Sequence, residues 1–362
     1  MSEATSSSIS PPSSSNSILI PNLPDDIAIQ IIARTPRFYH LNLSLVCKSW
    51  RSILRSPLFF TIRSQLDCTQ VFLYINVRIH NSSFKWFVLD CNLTNPKTLS
   101  PIPSIPIQAI GSAFVVLGSK IYVIGGSIND VPSSNVWVFD SRFNSWEVGQ
   151  KMRVGREFAA AGVINGKIYV LGGCLVDNWT RSTNWAEVFD PKIGTWAPVP
   201  SPVEIREKWM HGSAVIDKKM YAMADRGGVA FDPEDSSWGY VSTELDLGWR
   251  GRATVVDEIL YCYDYLGKIR GFDAKEFVWR ELKGLDSSLP TFLCGATMAN
   301  VGGKLYVVWE GRGGGNQIEV LCAEIEVRKD CFGDLWGSVV WSQVILVIPG
   351  GSSIIQCLAI EF

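Results

Sequence analysis

Histidine is scarce in this chain: its 362 residues include three, His40, His80 and His211. A copper centre needs several imidazoles converging with partners that orient them, so redox-metal chemistry is short of ligands and no cofactor is expected. A dominant charge is also missing. Thirty-three basic against 35 acidic side chains give a net charge of −2, which provides no footprint for nucleic acid or an anionic membrane. Long hydrophobic runs are absent too. The longest aliphatic stretch, Val344–Ile348, is far too short to cross a bilayer. The nine cysteines form no Cys-x-x-Cys pair and no disulfide-like cadence. They predict reduced intracellular thiols, each a small buried hydrophobe. Neither a Gly-x-Ser-x-Gly elbow nor a phosphate-binding loop occurs. Gly311–Gly315 lacks the Lys-Ser/Thr that would follow in such a loop and predicts a strand connection instead. Hydrolytic, nucleotide-driven and metal-redox activities all lose their usual carriers.

What is present falls into three stretches. Residues 1–17 are Ser-rich, with Pro11 and Pro12 and no arginine before Arg34, and predict a disordered lead-in. Residues 18–62 contain no glycine and place apolar residues at helical spacing. Pro24-Asp25-Asp26 suits the start of a helix carrying Ile27, Ile31 and Ile32, and Thr35-Pro36 stops it. Leu41, Leu45, Val46, Trp50 and Leu54 predict a second helical run, closed by Ser56-Pro57. So small a unit cannot enclose an adequate core, and its apolar surplus predicts a partner.

The ordered string Leu23-Pro24-Asp25-Asp26-Ile27, then Leu45-Val46-Cys47-Lys48-Ser49-Trp50-Arg51, then Pro57-Leu58-Phe59 resembles an F-box. The resemblance implies a three-helix unit docking on the Skp-type adaptor of a cullin–RING ubiquitin ligase. Leu23, Pro24, Ile27 and Ile31 would face the adaptor, and Leu41, Leu45, Val46 and Trp50 would pack the helices or extend that contact. Phe38-Tyr39-His40 departs from the more regular Leu-rich stretch of many F-boxes, which leaves the middle helix less defined.

From residue 68 to 362 the helical period disappears. Four Phe-Asp pairs are each followed, six residues after the Asp, by a Trp: Phe139-Asp140 with Trp146, Phe189-Asp190 with Trp196, Phe231-Asp232 with Trp238, and Phe272-Asp273 with Trp279. Tyr122, Tyr169, Tyr221, Tyr261 and Tyr306 mark apolar runs recurring every 40 to 52 residues, the first two followed by Gly-Gly. A period of this length predicts one supersecondary unit copied many times. It resembles the kelch repeat, whose units are four-stranded blades of a β-propeller. The expected fold is therefore mainly β, a propeller preceded by a small all-α domain. Units are expected near 110–150, 157–200, 209–243, 249–284 and 292–347. Ile354–Ala359 should complete a further unit begun at 70–106, because ring closure removes an open edge. Six blades are favoured and seven possible.

Each motif element has an expected task. Gly pairs allow positive φ and close backbone approach, the Asp residues turn the chain, and each Trp wedges between neighbouring blades. Arg156, Phe158, Arg206, Trp209, Met210, Arg250 and Arg252, just before inner strands, are candidates for contacting a target protein on the rim. Together the two resemblances point to the F-box/kelch-repeat proteins of flowering plants. They imply a non-catalytic substrate receptor of an SCF-type ligase, in the cytoplasm and/or nucleus, that holds an unidentified target for ubiquitination and proteasomal degradation. The alternatives are a non-degrading F-box adaptor or scaffold, or a small-molecule-binding or enzymatic propeller. No nucleic-acid or membrane partner is expected.

Overall fold

A computed structural model describes residues 19–362 apart from 81–82, 94–96, 175–182, 207–209, 226, 250 and 265. The Ser-rich lead-in therefore lies outside the described residues. The chain divides into two compact units, Met1–Gln70 and Val71–Phe362.

The first unit holds α1 (Asp25–Ala33), a 3₁₀ turn (Arg37–Tyr39), α2 (His40–Val46), α3 (Lys48–Leu54) and α4 (Pro57–Gln65). One expectation needs correction. The second run is not one helix: Cys47 adopts extended backbone and divides it, its sulfur accepting the Trp50 N–H at 3.4 Å as the cap of α3. Ser56-Pro57 follows the end of that run, as expected, and also opens α4. The Ser56 hydroxyl accepts the Phe59 N–H at 3.3 Å and Pro57 takes the first turn, where its missing N–H costs nothing. Four α-helices thus stand where three were expected. They close around Ala28, Ile32, Ala33, Leu54, Phe59 and Phe60, a core too small to cover the remaining apolar residues.

The second unit is built of antiparallel four-stranded groups. The first repeat sheet comprises Ala113–Leu117, Lys120–Ile124, Val136–Asp140 and Ser145–Val148. The second comprises Ala160–Ile164, Lys167–Leu171, Ala186–Asp190 and Thr195–Val199, and the third Met210–Ile216, Lys219–Ala224, Val229–Asp232 and Ser237–Tyr240. The fourth group (Ala253–Val256, Ile259–Tyr263, Ile269–Asp273, Val278–Lys283) joins the fifth (Cys294–Val301, Lys304–Arg312, Gln317–Lys329, Leu335–Pro349) by a short parallel pairing of Leu282–Lys283 with Leu335–Trp336. By pairing those two form one eight-stranded sheet; by strand order they are two groups, and a count of six rests on the second view. The last group spans both ends of the unit. Ser353–Glu361 pairs antiparallel with Val71–Ile79, followed by Ser83–Asp90 and Ser100–Pro101.

The innermost strands of successive sheets neighbour one another, and the C-terminal strand approaches both the fifth and the first, so the sheets arrange as a propeller. The apolar cores lie between sheets. Val115, Val136 and Val138 pack with Val170 and Phe189; Leu171 and Trp185 with Met220 and Phe231; Leu73, Ile75 and Val77 with Val308, Val320 and Cys322.

The repeat motif explains this packing. Each Phe lies directly opposite its Trp on the outermost strand, with ring centroids 5.0, 5.2, 4.5 and 5.3 Å apart in chain order. Each indole N–H reaches back to the exit of the preceding unit and donates at 2.8 Å to the carbonyl of Pro103, Gln150, Pro200 or Glu244. The Trp residues thus combine an aromatic cross-strand pair with a tether between sheets, which the expected wedge anticipated in part. Each motif Asp accepts the N–H two residues on, at 2.9–3.0 Å, and turns the chain. At Gly125 (φ 64°) the carbonyl of Arg156 lies 2.5 Å from where a Cβ would stand, so the strand exit needs glycine sterically as well as conformationally.

Among the cysteines, Cys262, Cys322 and Cys357 are buried, but Cys47, Cys294 and Cys331 are exposed, against the expectation of small buried hydrophobes.

Candidate functional site

In the helical unit most of the expected docking residues lie on the outside. Leu41, Leu45 and Val46 are 74%, 69% and 62% exposed, and Leu23, Pro24, Ile27 and Ile31 are exposed on and before α1. Trp50 is half-buried, its indole N–H donating to the Leu19 carbonyl at 2.7 Å, so it braces the unit. Phe38, Tyr39 and Leu58 are exposed as well, and sequence patterning had not assigned them to this surface. A unit this small with so many large apolar side chains outside has the anatomy of an interface lacking its other half.

Its internal order depends on one buried cation. Arg63 donates to the carbonyls of Ala33 (2.6 Å), Thr35 (2.7 Å) and Cys68 (2.6 Å) and to Gln70 Oε1 (3.1 Å). It gathers the open C-terminal end of α1 and the segment after α4 on one guanidinium. His40 lies beside it. Burial lowers the His40 pKa to about 4; the Thr35 carbonyl pulls it back up, and the charges of Arg63 and Arg37 lower it further.

In the propeller, the starts of several inner strands surround a cavity of about 490 Å³ at one mouth of the ring. Of the rim candidates, Phe158, Met210 and Arg252 line it. Phe158 is exposed, with its backbone at positive φ (51°). Arg252 keeps solvent exposure, yet surrounding protein desolvates its guanidinium and lowers its pKa. Arg156, Met210 and Arg206 are less accessible.

Arg156 is fully buried. It pairs with Glu187 at 2.8 Å, both side chains having no exposure, and donates to the carbonyls of Gly172 (2.6 Å), Trp185 (2.8 Å) and Asn184. Its own backbone bonds Ser133 and Gly126 of the preceding repeat. Arg156 therefore bolts two sheets together and presents nothing to a partner. Met210 is part of the cavity wall but is itself buried, packed under Gly172 in the core between the second and third sheets. Arg206 is half-buried and donates to the Ser201 carbonyl and hydroxyl. Trp209 and Arg250 lie outside the described residues. Among the described residues no cluster of three His, Cys, Asp or Glu side chains is arranged to hold a metal ion, and no helix is long and apolar enough to cross a membrane.

Residues 20–62 match the F-box domain, and residues 81–346 match the FKB95 Kelch-repeats domain. F-box/kelch-repeat protein At4g39550 of Arabidopsis thaliana is 36% identical over 370 residues, covering 94% of this chain and 93% of its own length. The chain belongs to the F-box/kelch-repeat family. A second Arabidopsis thaliana relative, F-box/kelch-repeat protein At4g39240, is 34% identical over 96% of this chain and 92% of its own. A solved structure titled "Structure of YjhT" overlays with a TM-score of 0.51 at 14% identity, covering 74% of this chain and 94% of that one. That likeness concerns the fold alone. The F-box/kelch-repeat pairing is that of the SCF-type substrate adaptors.

Proposed function

We propose that this chain is the substrate-recognition subunit of an SCF-type cullin–RING ubiquitin ligase. The F-box docks on the Skp-type adaptor through Leu23, Pro24, Ile27, Ile31, Leu41, Leu45 and Val46. The propeller binds a protein target at the mouth carrying Phe158 and Arg252. The chain performs no chemistry itself. Tethering raises the effective concentration of target lysines at the ubiquitin-charged enzyme, which works in the cytoplasm and/or nucleus. The observation carrying this reading is the exposed Leu41–Leu45–Val46 surface, which the unit's own small core leaves uncovered.

Because those side chains contribute little to the unit's own packing, docking and folding can be separated. A Leu41→Asp, Leu45→Asp double variant should keep the wild-type melting temperature while binding the Skp-type adaptor at least about tenfold more weakly. Titrating the recombinant full chain against adaptor measures both. An unchanged affinity in the folded variant sinks the docking assignment. Half-life of captured targets, with wild type and with this variant, then separates a degrading receptor from a scaffold.

A further inference from the structure

The cavity has a one-sided chemistry. Its charged lining residues are Arg78 and Arg252, with no lining carboxylate. Among the described residues neither arginine forms an ion pair. Arg252 donates to the Ile354 carbonyl at 3.2 Å and has Glu310 close enough to raise its pKa slightly against the lowering by burial. The Glu310 carboxylate is itself engaged, accepting the Ile354 N–H at 2.7 Å. The hydroxyls of Ser112 and Ser213 bond the carbonyls of Gly125 and Ala161. Apart from the one Arg252 bond to Ile354, the guanidinium groups are therefore the strongest donors lining the mouth among the described residues, and neither has a carboxylate partner.

The ring closure brings these two cations together. Arg78 pairs across the sheet with Ser353, and Arg252 bonds the next residue, Ile354. The register of the closing strand then slips: Val77 faces Ile354 while Asn76 faces Gln356. Ile355 is the extra residue of this β-bulge, and it lines the cavity. Bulges of this kind re-aim a side chain beside functional sites. On the opposite lip Phe158 occupies the left-handed region, which a bulky residue enters at a cost. Its N–H donates to the Gly111 carbonyl at 2.6 Å, and its ring lies 2.8 Å from where a Gly111 Cβ would stand. Ile110 and Phe158 are about half exposed on this lip.

The geometry points to a carboxylate-bearing segment of the target protein as the occupant, with an Asp or Glu held by Arg78 and Arg252 and flanking apolar side chains on Ile110 and Phe158. A free small carboxylate would reach the arginines yet leave that apolar lip wet, so a polypeptide is the better fit. The assignment rests on the receptor reading and names what the mouth selects.

A random-peptide display library selected on the recombinant full chain, with binding of the Skp-type adaptor titrated separately, provides the test. Enriched peptides should carry Asp or Glu beside aliphatic or aromatic residues and should weaken as salt rises. Arg78→Gln should reduce their affinity about tenfold while adaptor binding stays unchanged. Arg252→Gln should act likewise. If loss of its bond to Ile354 unfolds that variant, Ile110→Asp replaces it, because a carboxylate on the lip should repel the same peptides. Enrichment without acidic residues, or affinity indifferent to Arg78→Gln, overturns the assignment. So does glutarate binding as tightly as the selected peptides, which would make a free small molecule the occupant. Failed selection with adaptor binding intact sinks the cavity assignment alone; lost adaptor binding with selection intact sinks the receptor reading alone.

Discussion

The helical unit and the propeller solve the same problem of burying apolar surface in opposite ways. The propeller finishes the task internally: five apolar clusters fill the spaces between neighbouring sheets. The space between the closing and first sheets is stacked by aromatic pairs, Tyr74–Phe139 at 5.7 Å and Trp86–Phe114 at 5.7 Å. The helical unit leaves Leu41, Leu45 and Leu58 outside, and Arg63 adds a polar hub to its small apolar core. A closed ring is stable without help and offers a mouth. An open cluster is stable only to the extent that its polar hub holds, and offers a face. On the proposed reading, the same chain carries one surface to be completed by a constant partner and another shaped for a selected one.

Ring closure is where this contrast breaks most completely. Deleting Ser353–Phe362 removes the partner of Val71–Ile79, exposes a strand edge and opens the core containing Leu73, Ile75, Ile354 and Cys357. The expected outcome is loss of cooperative propeller unfolding and aggregation on expression. A far-UV melt and size-exclusion chromatography read it directly, and a truncated chain melting like wild type would deny that the closing strand holds the ring. Glu187→Ala comes next. It leaves the Arg156 guanidinium buried without its counter-charge and should cost about 3–5 kcal/mol, measured by denaturant titration. A loss under 1 kcal/mol would mean the pair behaves like a surface ion pair.

Much of this was legible because each repeat states its own packing. Phe-Asp, the six-residue step and Trp encode a cross-strand pair, a turn and a tether, and all four copies fold accordingly. The closing strand was legible by elimination, an apolar strand with no neighbour in sequence. The rim was harder to read. Arg156 looked like a surface anchor because nothing local showed Glu187, 31 residues on, coming to meet it. Arg78 was overlooked because it lies in a strand without the Gly-Gly or Trp signature, and only the closing pairing brings it beside Ser353. The break at Cys47 was missed because thiol caps are uncommon, whereas the apolar spacing ran straight through it.

A smaller effect tests the tether. Trp196→Phe keeps the ring against Phe189 but abandons the Gln150 carbonyl. The loss should be about 1 kcal/mol, and Trp146→Phe, Trp238→Phe and Trp279→Phe should match it because the geometry repeats. Denaturant midpoints of the four variants give the comparison. Four unequal losses would show that the repeats share a motif without sharing its energetics.

The smallest effect lies in the helical unit and depends on pH. Folded His40 stays neutral down to about pH 4 because burial disfavours its charge and Arg63 and Arg37 face it. Unfolded, it takes up a proton near pH 6.5. Between those values the unfolded state binds more protons, so stability is full above the upper value and falls as pH drops towards the lower one. The gap sets a limit of about 3 kcal/mol, and the partial exposure of the ring reduces the expected loss to about 1 kcal/mol. His40→Phe retains an aromatic edge towards Phe59, 5.3 Å away, and cannot titrate, while Arg63 still satisfies the Thr35 carbonyl. The variant should therefore lose less helical stability on acidification than wild type, as followed by the helical far-UV signal during denaturant titration across that window. Parallel pH profiles for the two proteins would place the acid sensitivity of the helical unit elsewhere.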